Sequence, residues 1–283
     1  MKQTLLFVIA LITVYFCSMT VNSKALELKE HPSLAMVTNR KLFYCCSGTI
    51  VSTWHIVSSC LSFAKGMGTW RQIKDSYEFK VVAGIVSLEQ TKQAYAQIRD
   101  IKIISIHPGC KTTPYATAYD IGVVLLRSPL IITEYVAPAN LVFYTEGATN
   151  FSIPKDQSCF MLSWFANNSL RAGKENVNKE QCSTDSLATN VSEMFNCNEC
   201  FFCTTTSMLF LCSDKLTGSS VFCDDQFVGI YNCNNMCDKV YYFGSIETSM
   251  YWITYILTLG DTSRAVPSVF VIVLTASLLV MTS

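Results

Sequence analysis

Cys212-Ser213-Asp214-Lys215-Leu216-Thr217-Gly218-Ser219-Ser220-Val221-Phe222-Cys223, followed by Gln226-Phe227-Val228-Gly229-Ile230, is the stretch on which the fold turns. Two cysteines bracket a polar turn, an apolar pair leads into the second of them, and a strand-like run follows. Taken alone, this is a disulfide-tied surface loop of a secreted β protein. The rest of the composition agrees with that compartment. The 283 residues include 14 cysteines, a number that suits an oxidising environment. Lys and Arg total 21 and Asp and Glu total 21, so no basic field exists to attract nucleic acid.

Both chain ends read as targeting signals. Lys2 is a charged start, Leu5 to Phe16 form an apolar core, and Val21 and Ser23 are the small residues that signal peptidase reads. Residues 1–23 are therefore expected to be a signal peptide cut after Ser23. The apolar core falls short of the ~20 residues of a spanning helix. At the other end, Gly260-Asp261-Thr262-Ser263 is small and polar, a short spacer follows, and Val269 to Met281 is apolar. That order matches a lipid-anchor signal, with Gly260 as the attachment residue and residues 261–283 removed; Ser263 is the alternative. The competing reading is a short single-pass helix. Asn150, Asn167 and Asn190 each open a glycosylation sequon. Together these features place the chain in the secretory pathway, tethered to the extracellular face of the plasma membrane.

Between the ends the pattern is strand-rich. Phe79 to Val86 and Ile98 to Ile106 alternate apolar and polar residues. The spacing of Cys197, Cys200, Cys203 and Cys212 suits a zinc or iron–sulfur site in isolation, but the secretory route favours disulfides instead. Neither metal nor cofactor is expected.

Several segments, in order, carry a family resemblance. Cys46-Ser47-Gly48-Thr49-Ile50-Val51, Trp54 and Ile56-Val57-Ser58-Ser59-Cys60 come first. Tyr119-Asp120-Ile121-Gly122-Val123-Val124-Leu125-Leu126-Arg127 follows, then Cys159-Phe160-Met161-Leu162-Ser163-Trp164. The opening stretch and the terminal Tyr251-Trp252-Ile253 complete the set. The chain thus resembles the trypsin/chymotrypsin serine protease family from about His31 to Leu257. The fold implied is all-β: two six-stranded antiparallel barrels, residues 31–140 and 141–257 of a domain spanning 24–260, with a C-terminal helix. The disulfides implied are Cys46–Cys60, Cys159–Cys223, Cys182–Cys203 and Cys212–Cys237. Cys45, Cys110, Cys197, Cys200 and Cys233 are left over.

The same resemblance assigns the catalytic slots. The general base position, just before the second cysteine, holds Ser59; the acid position holds Asp120; the nucleophile position holds Thr217. A serine hydroxyl does not titrate near neutral pH and cannot act as base. Lys215 and Leu216 replace the family's Gly-Asp before the nucleophile, the turn is one residue longer from Cys212, and no Ile-Val-Gly-Gly activation sequence precedes the first barrel. His31, His55 and His107 are the three histidines, and each reads as structural. Phe210 stands where trypsin carries its specificity aspartate. The expectation is an inactive homologue that binds another protein; the alternative is an atypical peptidase using Thr217. Asp214-Lys215-Leu216 with Trp252-Ile253 is also similar to inactive homologues associated with testis and sperm.

Overall fold

The computed structural model describes residues 24–65, 72–112, 117–141, 159–167, 169–180, 201–205, 217–231 and 240–261. Its first barrel contains β1 (Leu34–Asn39), β2 (Tyr44–Ile50), β3 (His55–Ser58), β4 (Phe79–Ala83), β5 (Gln97–Ile106) and β6 (Gly122–Leu126). They close in the order β6-β3-β2-β1-β4-β5, all neighbours antiparallel. The sequence explains why β1, β3, β4 and β6 are buried on both faces, whereas β5 leaves Lys102 and Ile103 exposed. Ala35 and Val37 of β1 point into one apolar cluster, whereas Leu34 and Met36 point into another. Ile56 against Val57, Val81 against Val82, and Val124 against Val123 divide the same way. Period-two alternation thus fills the barrel interior with one set and the barrel's outer contact with the other.

The second set of strands is β7 (Cys159–Asn167), β8 (Ser169–Glu180), β9 (Phe201–Thr205), β10 (Ser220–Cys223), β11 (Gln226–Tyr231) and β12 (Val240–Ser245). Antiparallel pairings run β8-β7-β10-β11-β12-β9, and Asn178 of β8 faces Thr205 of β9, so the pairings form a ring. Two short segments join its edges. Lys24–Ala25 pairs antiparallel with β8, and Asn140–Leu141 pairs parallel with β11. The outward cluster of the first barrel continues directly into Leu162, Trp164, Phe222, Phe227 and Ile230 of the second. Trp164, fully buried, also donates its indole N–H to the Ala35 carbonyl of β1 at 3.3 Å. The terminal helix (Ile246–Asp261) buries Ile246, Met250 and Ile253, at i, i+4 and i+7, against this shared core.

One disulfide expectation is corrected. Cys60 is bonded to Cys110, not to Cys46. The register supplies the reason. Gly122 of β6 faces Ser58 on one side and Ile106 on the other. The ends of β3 and β5 therefore flank the same end of β6, and the residues just beyond them, Cys60 and Cys110, meet there. Cys46 is fully buried and carries a free thiol, as does the half-buried Cys45. Burial pushes the Cys46 thiol well above its ordinary range, while a hydrogen bond to Cys46 and the Lys74 charge draw Cys45 down. Cys159 is bonded to Cys223, and the two face each other in the β7–β10 register. Cys182, Cys212, Cys237 and the Cys203 side chain lie outside the described residues, so the Cys182–Cys203 and Cys212–Cys237 expectations do too. Asn150 and Asn190 also lie outside them. Asn167 ends β7 where it turns into β8. Gly260 stands in the last turn of the terminal helix.

Candidate functional site

Ser59 follows β3 and caps the one-turn helix α1 (Cys60–Phe63). Asp120 sits two residues before β6. Because β3 and β6 are paired, these loop ends converge. Ser59 Oγ donates to Asp120 Oδ1 at 2.7 Å and lies 2.9 Å from Oδ2. The Leu61 N–H, 3.1 Å from Asp120 Oδ1, is as close to Ser59 Oγ. Asp120 and Ser59 are both fully buried. A carboxylate removed from water costs several kcal/mol unless donors surround it, and here a hydroxyl and a backbone N–H serve that purpose. Asp120 thus has a hydroxyl partner where a triad would present an imidazole to be oriented. The Cys60 and Cys110 sulfurs and the Asp120 carboxylate lie within 4.8 Å of one another. Bonded to each other, those sulfurs offer no thiolate to a metal ion.

Thr217 and Gly218 form the turn that enters β10. The Thr217 carbonyl accepts from the Ser47 N–H of β2 at 3.0 Å, which staples this turn of the second barrel onto the first. Gly218 adopts φ +81°, and a Cβ there would fall 2.3 Å from the Ser47 carbonyl oxygen and 2.6 Å from Ser58 Oγ. A Cβ added at Gly244 of β12 would lie 3.6 Å from the Asp120 nitrogen, so the positions that the resemblance assigns as slots all lie where the two strand sets meet. Residues 206–216, with Lys215 and Leu216, lie outside the described residues.

Sequence reasoning missed what fills the seam. Ser58 Oγ donates to the Ser47 carbonyl at 2.6 Å. Ser163 Oγ donates to Ser219 Oγ at 2.6 Å, and Thr49 and Ser220 share a hydrogen bond between their hydroxyls. All these hydroxyls are buried. The serine doublets Ser58-Ser59 and Ser219-Ser220 were the available signal, since serine inside a strand that is otherwise apolar needs a partner.

The histidines serve the framework. His55, buried in β3, has Nδ1 2.8 Å from Ser52 Oγ. His31 packs on Phe160, 4.9 Å between ring centroids. His107, after β5, stacks on Tyr119 at 4.6 Å and meets the Trp252 edge at 5.0 Å. Its Nδ1 accepts from the Gly109 N–H at 3.0 Å. Burial lowers its pKa from 6.5 to about 4. The unfolded chain, with an ordinary histidine, takes a proton near pH 6.5 that the folded chain refuses until about pH 4. His107 should therefore cost the fold stability progressively as pH falls from 6.5 to 4 and nothing above it. In a proton NMR titration the His107 ring signals should hold their neutral positions down to about pH 5; movement centred near 6.5 would mean the ring is solvated.

A closed six-stranded antiparallel barrel, a second ring of antiparallel strand pairings and a C-terminal helix agree with a chymotrypsin-type architecture. The trypsin family model matches residues 20–253, and the chain belongs to the trypsin family. Among solved structures, human heparin binding protein aligns at a TM-score of 0.63 with 16% identity, over 84% of this chain and 96% of that one. An atomic-resolution structure of HBP gives the same figures. A mutant of human heparin binding protein (CAP37) aligns at 0.62 with 15% identity and the same coverage. No curated protein sequence matches.

Proposed function

We propose that this trypsin-family chain is catalytically inactive and acts as an extracellular binding protein, tethered to the plasma membrane, in sperm or another reproductive tissue. The observation that carries the reading is the Ser59–Asp120 pair. The position that should hold a proton acceptor instead holds a hydroxyl that donates a hydrogen bond to the carboxylate. Thr217 then has no base from the family's constellation, and triad members act as a unit, so loss of the base removes most of the rate. The N-terminus supports the same conclusion. Lys24 and Ala25 face Lys174 and Gly173 in the sheet, and the Leu26 N–H donates to the Ala172 carbonyl. With the proposed cleavage after Ser23, the new amine is that of Lys24, which this pairing holds at the edge of β8. Human heparin binding protein is named for what it binds, which accords with this fold serving recognition. The balanced charge of this chain points to a protein partner rather than a polyanion.

The test uses the full chain displayed on cells together with its doubly substituted Ser59→His, Thr217→Ser form. Neither should hydrolyse peptide substrates or take up a fluorophosphonate label, because the sequence lacks the Gly-Asp turn and the activating amine. Labelling of the native chain that disappears in Thr217→Ala would establish the peptidase reading instead. Affinity capture from the native membrane then identifies the partner.

A further inference from the structure

We propose that the outer face of α2, the terminal helix (Ile246–Asp261), lies against the lipid bilayer surface. The proposal rests on the membrane-tether reading above. Tyr251, Thr254, Tyr255, Thr258 and Leu259 are exposed and recur at i, i+3, i+4, i+7 and i+8, so they form one stripe. Tyr251 is 90% exposed, Tyr255 54% and Leu259 49%. The opposite side is already occupied by the core contacts of Ile246, Met250 and Ile253. A helix face turned to water ordinarily carries charge, yet the only charged residues of α2 are Glu247 and Asp261, at its two ends. Its polarity is reduced further by the Thr258 hydroxyl, which donates back to the Tyr255 carbonyl at 2.7 Å.

The chemistry of the stripe selects the occupant. Tyrosine has an apolar ring and a polar tip, and it gathers where hydrocarbon meets headgroups. Thr and Leu beside it add apolar area without charge. The sequence also brings the helix to a membrane. Only residues 262–268 separate α2 from the apolar run Val269 to Met281. Fully extended, seven residues span about 25 Å, so α2 ends within that distance of whatever the run inserts into. With a lipid attached at Gly260 and residues 261–283 removed, the attachment point is instead the last turn of α2 itself. A face with no basic residue needs no anionic lipid, so a neutral phosphatidylcholine surface is the occupant the chemistry fits.

The test is photo-cross-linking of the full chain on cells, with p-benzoylphenylalanine placed at position 251, 255 or, as control, 77. Tyr77 is 56% exposed but belongs to the first barrel's surface. Irradiation should attach phospholipid at 251 and 255 at several times the yield at 77, with equal yield at high and low salt. A membrane-bound chain that gives protein–protein cross-links at 251 and 255, or lipid adducts no more abundant than at 77, overturns the assignment of this face alone. A chain found wholly in the medium overturns the tether and the face together. Release by a phosphatidylinositol-specific phospholipase, read on a separate sample, reports the form of the anchor independently of both.

Discussion

Gly218→Ala is expected to destabilise the protein by about 3–6 kcal/mol, although it adds a single methyl group. Two effects combine. The residue adopts φ +81°, where an L side chain meets its own backbone at a cost of roughly 1–2 kcal/mol. The new carbon would also fall 2.3 Å from the Ser47 carbonyl oxygen. That oxygen is main chain in the middle of β2 and cannot swing aside. Relief requires the whole turn to lift from the first barrel, which would break the Ser47 N–H to Thr217 carbonyl bond. Overpacking of this kind costs about 1–3 kcal/mol, and the lost hydrogen bond about 1 more. Urea unfolding under non-reducing conditions should show a lower midpoint with an unchanged slope. Thr217→Ala serves as the control. Its side chain is half-exposed, and its loss should cost under about 1 kcal/mol. Equal effects from the two substitutions would show that the turn is not pressed against β2.

The parts of this fold that were legible in the sequence are those written in local pattern. Period-two alternation marked the strands, and ordered cysteines and tryptophans marked the barrels. The disulfide at Cys60 was not legible, because Cys110 lies four residues past the end of β5 and reaches Cys60 only through the register of β5 on β6 and β6 on β3. No spacing rule encodes that meeting. The slot residues were legible by their distance from cysteines, but their bonding was not. Ser59 could be read as the absence of a base; that its hydroxyl would satisfy the buried Asp120 depends on a contact across 61 residues. The hydroxyl seam was harder still. Ser220 finds Thr49 across 171 residues, and a serine alone reads as surface.

That shared seam is expected to couple the two barrels into one cooperative unit, and Trp164 is where the coupling is most open to test. Trp164→Ala is expected to cost about 3–5 kcal/mol, the range for deleting a fully buried aromatic side chain. The indole lies in the cluster formed by Met36 and Val57 of the first barrel and Phe222, Phe227 and Ile230 of the second. Its loss opens a cavity on the boundary, so both barrels lose contacts at once. Trp164→Phe separates the contributions. It retains much of the apolar volume and removes the N–H donated to the Ala35 carbonyl, and it should cost about 1–2 kcal/mol. Phe63→Ala, whose cavity would open inside the first barrel's own core, is the comparison for position. In hydrogen exchange, Trp164→Ala should raise opening rates in β1 and in β10 together, whereas Phe63→Ala should act first on the strands around it. Protection lost in the second barrel alone after Trp164→Ala would show that the barrels fold independently, and that the seam holding Ser59, Asp120 and Thr217 is a contact between two finished units.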